Sequence, residues 1–150
     1  MKVKQKPPPC IRHPAVVVHG LPDARAALAA GRAVTLLSAP GAALFAGCGW
    51  WRAVIGRARA EYADVAADDV LDCADASGLA LGALRTGQRL IVLEPVAPGW
   101  QSVASIAASL GGAVLAARPP ALDMADRGAA RRLHGWLHTG PTGDSGDGVS

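Results

Sequence analysis

Aromatic residues are scarce: four Trp, one Tyr and one Phe in 150 residues. A core in this chain therefore rests mainly on Ala, Val, Leu and Ile. Lysine is nearly missing as well, with three Lys against twelve Arg, and all three (Lys2, Lys4 and Lys6) fall in the first six residues. Together with Arg12 they hold the whole positive excess: the formal net charge is +3, and without these four residues the rest of the chain carries −1. A near-neutral body argues against a nucleic-acid domain, which carries a basic stripe on its folded surface. No apolar run reaches the roughly 18 residues that a membrane span needs. The richest stretch, 42–55, is short and contains Arg52. Pro7-Pro8-Pro9 stands where the apolar segment of a secretory signal would begin. Cys10, Cys48 and Cys73 are an odd number without close pairing, which points to reduced thiols and a cytoplasmic setting, not to a disulfide framework.

What is present suits a globular domain. Hydrophobic residues make up 51% and charged residues 18%, close to ordinary usage, and the length fits one domain. Residues 1–14 read as a proline-rich N-terminal arm and 140–150 (GPTGDSGDGVS) as a flexible tail with little to bury. Between them, 15–139 alternates short apolar runs with helical segments. The runs are 15–18, 33–37, 69–73, 89–93 and 113–116. The helices are expected at 22–30, 42–62, 77–85, 98–110 and 123–137. In the second, Leu44, Cys48, Trp51 and Ile55 fall on one face. In the fourth, Trp100, Val103, Ile106 and Leu110 do, and in the last Leu133, Trp136 and Leu137 are to be buried. Continuous apolar runs mark strands covered on both faces, as parallel strands are. The pattern predicts an α/β fold, a three-layer sandwich of about five parallel strands, flavodoxin-like or Rossmann-like. Val34, Leu36, Val70, Leu71, Ile91 and Leu93 are its expected central core.

In open parallel sheets ligands bind beyond the C-terminal ends of the strands, where loops and helix N-termini converge. Those ends hold His19-Gly20, Ser38 to Gly41, Asp72 to Asp75, Glu94 and Arg118. Ser38, Gly41, Asp72, Asp75 and Glu94 are the ligand-binding candidates. Ser38-Ala-Pro-Gly41 leads into a helix and can serve as an anion cup or as a capping turn. Asp72, Asp75 and Glu94 can gather into an acidic site for Mg²⁺. They can equally serve structure, with Asp75 capping the next helix and Asp72 pairing with an Arg. Cys73 between carboxylates reads as a buried thiol, not a nucleophile. His134 and His138, at i and i+4, lack the Glu of H-E-x-x-H and a third ligand, so no metal site is read there. The G-x-G-x-x-G, G-x-x-x-x-G-K-[ST] and G-x-S-x-G motifs are missing.

Asp72 at the end of the third run and Arg118-Pro119 at the end of the fifth resemble the phosphorylated Asp and the Lys-Pro pair of response-regulator receivers. The acidic pair which that family carries after its first strand is His19-Gly20 here. The Lys is Arg118, and Glu94 stands where the family has Ser or Thr. The resemblance is one of architecture, without phosphotransfer.

The least ordinary segment is Gly47-Cys-Gly-Trp-Trp51. Adjacent Trp residues on a helix point about 100° apart, so one face cannot bury both. Phe45 and Trp50 are left as candidate interface residues, and the segment 42–55 as a surface for self-association. Two functions follow as expectations. One is a non-catalytic, homo-oligomeric interaction or assembly protein. The other is a small-molecule or anion-binding domain, possibly an enzyme, with its site at the strand ends. The sequence singles out no cofactor.

Overall fold

The computed structural model describes residues 11–139. Its elements in chain order are β1 (Ala15–Val17), α1 (Leu21–Ala29), β2 (Val34–Leu37), α2 (Ala42–Phe45), α3 (Cys48–Glu61), β3 (Ala67–Asp72), α4 (Ser77–Arg85), β4 (Leu90–Val92), α5 (Trp100–Ser109), β5 (Ala113–Leu115), β6 (Ala121–Asp123) and α6 (Ala129–Thr139). All six strands form one parallel sheet in the order β5-β4-β3-β2-β1-β6. The α/β class and the parallel sheet are as read from the apolar runs. The strand count is six, not about five, because residues 121–123 add an edge strand beside β1.

The order sets the layering. From β1 to β5 the chain steps across the sheet in one direction, and right-handed crossovers then place every connecting helix on the same face. The buried residues of all six helices share one cluster with Val16, Val34, Leu36, Leu71, Ile91 and Leu93. The opposite face carries a separate cluster, Val17, Leu37, Val70 and Val92, with Ile11, Leu90, Leu115 and Ala121 packed against it. That cluster contains no helix residue. Among the described residues the second helix layer of a three-layer sandwich is therefore not built, since it requires the winding to reverse midway through the sheet. The order also differs from the 2-1-3-4-5 of flavodoxin-like folds, receivers included, and from the Rossmann 3-2-1-4-5-6. The last residues of the proline-rich arm line the second face: the Thr35 hydroxyl donates to the His13 carbonyl at 2.9 Å, and the Thr35 amide to that of Pro14, also at 2.9 Å.

The expected central core, Val34, Leu36, Val70, Leu71, Ile91 and Leu93, is fully buried. The helix expected at 42–62 is broken. Gly47, with φ of +88°, ends α2 and starts α3, a left-handed conformation that glycine adopts without a Cβ penalty. The break shifts the helical phase. Trp51 and Ile55 stay in the core, while Leu44 becomes exposed, contrary to its expected place on the same stripe. In α5 the buried stripe is Val103 and Ala107, with Trp100 half-buried; Ile106 and Leu110 lie off it and are exposed. The last helix begins at Ala129, not at residue 123, because Asp123 belongs to β6.

Two expected results follow from local geometry. A methyl built on Gly112 would sit 2.0 Å from the Arg89 carbonyl oxygen, the same oxygen that accepts the Ala113 amide at 2.9 Å. Gly112→Ala must push β4 and β5 apart and should cost at least about 1–3 kcal/mol in a denaturant titration; an unchanged midpoint would refute the close approach. Between α1 and α3, Arg25 reaches Glu61 through two nitrogens, at 2.7 and 2.8 Å, and Arg57 adds a contact at 3.0 Å. The Arg25 and Arg57 hydrogen bonds hold the Glu61 carboxyl at about 2, below its ordinary 4.5. A carboxyl depressed by folding stabilises fully above its unfolded value, and that contribution is lost as pH falls through the folded one. Thermal melts of Glu61→Gln should therefore show a shallower acid loss than wild type between about pH 4.5 and pH 2; parallel curves would contradict this.

Candidate functional site

The loops that follow β2, β3 and β4 meet at the C-terminal edge of the sheet, where Ser38 and Asp72 are joined directly. Both are buried. The Ser38 hydroxyl accepts the Asp72 amide at 2.9 Å and donates to the Ala39 carbonyl at 3.0 Å. Its side chain caps no helix; the N-cap of α2 is Gly41, so the glycine closes the capping turn that Ser38-Ala-Pro-Gly41 allows. Asp72 points to the face without helices, since β3 alternates and Leu71 and Cys73 point to the other. One of its oxygens accepts the Ala74 amide at 2.8 Å, in a turn that holds Ala74 at φ of +50°. The other accepts from Arg118 at 2.7 Å. A second Arg118 nitrogen donates to the Ser38 carbonyl at 3.0 Å. The reading of Asp72 as the partner of an Arg is thus the arrangement found. Arg118 lies in the 116–120 link that leads from β5 to β6, strands at opposite edges of the sheet.

The other candidates are near but do not converge with this pair. Gly41 lies against Ala74, with a built methyl 3.9 Å from the Ala74 Cβ. The Glu94 amide donates to the Ala74 carbonyl at 2.8 Å, yet the side chains of Asp75 and Glu94 are exposed. Asp75 makes no side-chain cap to α4, whose N-cap is Ala76. No group of three or more His, Cys, Asp and Glu able to hold a metal ion forms among the described residues, so Asp72, Asp75 and Glu94 do not gather as a Mg²⁺ site would require. Cys73 is buried, and burial first, then Asp72 and Cys48, push its thiol up to about 12. That suits a structural thiol.

A second polar group stands at the ends of β1 and β6. The His19 ring nitrogen Nε2 lies 2.7 Å from Asp123 Oδ1, which also accepts the Ala125 amide at 2.9 Å. The His19 amide donates to Asp23 at 2.9 Å. Burial acts to raise the Asp123 carboxyl, but the Ala125 amide, the His19 ring and the charge of Arg118 outweigh it and lower the pKa. The carboxylate fixes the ring, and both side chains are about a third exposed. Asp123 gave no signal in the sequence because it reads as the start of a helix.

Apolar side chains complete the rim. Leu44 is 53% and Phe45 71% exposed on α2, Leu79 45% on α4, and Val96 79% in the loop after β4. Trp50 is half-buried against the helix-side core, its ring centroid 6.2 Å from that of Trp51. No helix of the described residues is long and apolar enough to cross a membrane. No protein-family model and no curated protein matches the chain.

Proposed function

We propose that this chain is a non-catalytic interaction or assembly protein that associates with itself through the 42–55 segment, led by Leu44 and Phe45, in a reducing, cytoplasmic setting. The observation that carries the reading is Phe45: the only Phe of the chain is 71% exposed on a one-turn helix beside an exposed Leu44. Exposed apolar patches mark association sites, and aromatic residues are enriched in them. Trp50, read with Phe45 as an interface residue, contributes only its uncovered part. The internally satisfied Ser38–Asp72–Arg118 group fits a scaffold that holds the rim in shape. The unbridged thiols of Cys48 and Cys73 fit a reducing compartment.

Native mass spectrometry of the wild type and of Phe45→Glu tests this. The wild type is expected at a multiple of the chain mass and the variant at the single-chain mass, with an unchanged circular-dichroism spectrum because Phe45 packs on little. A wild type that stays single-chain at high micromolar concentration would defeat the proposal. The second reading, a small-molecule or anion site at the strand ends, draws on the Asp123-held His19 ring. The same spectra address it, as a retained small molecule whose added mass disappears in His19→Ala.

A further inference from the structure

The rim that carries Phe45 is charged as well as apolar. It is a single surface because its loops are tied together: the Glu94 amide to the Ala74 carbonyl, the Ser77 hydroxyl to the Pro98 carbonyl, and Gly41 in contact distance of Ala74. Phe45 and Val96 therefore share it with the exposed carboxylates of Asp75 and Glu94. Neither carboxylate enters an ion pair among the described residues. A second copy presenting these same residues would bring carboxylates against carboxylates in a drying interface, and like charges so placed oppose association.

The opposite charge stands elsewhere on the same end of the molecule. Arg131 and Arg132, in the first turn of α6, are exposed and enter no ion pair among the described residues. That turn follows β6 and so lies at the C-terminal ends of the strands, while the far end of α6 is fixed near the start of β1 by the Trp136 indole, which donates to the Ala15 carbonyl at 2.7 Å. We infer that the rim around Phe45 receives the arginine-bearing first turn of α6 from a second copy, an inference that rests on the self-association proposed above. Arginine suits both parts of the rim: its stem and planar guanidinium pack on an aromatic ring, and its nitrogens pair with carboxylates. Because both surfaces lie at the same end of the sheet, one two-fold axis can satisfy both contacts at once.

Charge reversal on each side tests the pairing. Sedimentation is measured for the full chain as wild type, as Asp75→Arg/Glu94→Arg, as Arg131→Glu/Arg132→Glu, and as an equal mixture of the two variants. All four positions are exposed, and circular dichroism verifies that each variant is folded. Each variant alone should associate at least about tenfold more weakly than wild type, and the mixture should return to within about threefold of it. Wild-type association should also weaken as salt rises from about 0.05 to 0.5 M, a readout that needs no variant. An Arg131→Glu/Arg132→Glu protein that associates like wild type, or a mixture that does not recover, overturns the inference. If Phe45→Glu dissociates while both charge variants associate normally, the apolar surface stands and the arginine contact falls. A monomeric wild type removes both.

Discussion

Trp51→Ala is expected to cost about 3–5 kcal/mol, the range for removing a large aromatic side chain from a core. Trp51 is the largest fully buried side chain and lies in the helix-side cluster between α3 and the sheet. Its indole nitrogen donates to Asp69 at 3.1 Å. Asp69 is mostly buried and also accepts from Gln88 at 2.9 Å and from Arg59 at 3.4 Å. Truncation thus opens a cavity and strips one donor from a carboxylate with limited access to water. Trp51→Phe separates the two effects: it keeps most of the volume and should lose about 1 kcal/mol for the hydrogen bond. Trp50→Ala, one residue away but half-exposed, should cost clearly less than Trp51→Ala. Urea titrations of the three variants rank them; a Trp50→Ala loss equal to that of Trp51→Ala would mean that the two indoles form one packed unit.

This pair of residues shows what the sequence could and could not say. That adjacent Trp side chains cannot share one face was legible, and one of them is in the core. Which helical phase wins was not, because the Leu44, Cys48, Trp51, Ile55 stripe presumes an unbroken helix and Gly47 breaks it. A left-handed glycine inside an apolar, alanine-rich run looks the same in the row as a tolerated helical one. The central strands were legible because residues such as Ile91 and Leu71 sit in continuous apolar runs. Strand β6 was not: three residues after Pro119-Pro120 are too few to show a period, and their stability comes from the non-local pairing of Val16 with Leu122. Missing that strand also hid Asp123, and with it the His19 pair. At the strand ends, Ser38 and Asp72 were found because apolar runs end there. Their link to Arg118 depends on a strand order that parallel runs do not encode.

Arg118→Ala is expected to cost about 3 kcal/mol, the low end of what breaking a buried ion pair costs. Asp72 has a side chain 5% exposed against 26% for Arg118, so the loss falls chiefly on the carboxylate left behind. It keeps the Ala74 amide but loses its only charged partner among the described residues, and the Ser38 carbonyl loses a donor. The low end applies because water already reaches the guanidinium and can enter where it was. Removing both charges, in Asp72→Asn/Arg118→Ala, should cost less than the two single changes added together, since no charge then remains buried alone. The damage should also have a place. Arg118 anchors the link that carries the chain to β6, and the Met124 amide just beyond that strand donates to the Val17 carbonyl at 3.1 Å. Hydrogen exchange at Met124 should accelerate in Arg118→Ala well before exchange at Ile91 in β4 does. A loss below about 1 kcal/mol, with Met124 protected as in wild type, would mean that β6 holds to β1 through its own pairing and through His19, and that the arginine only decorates the rim.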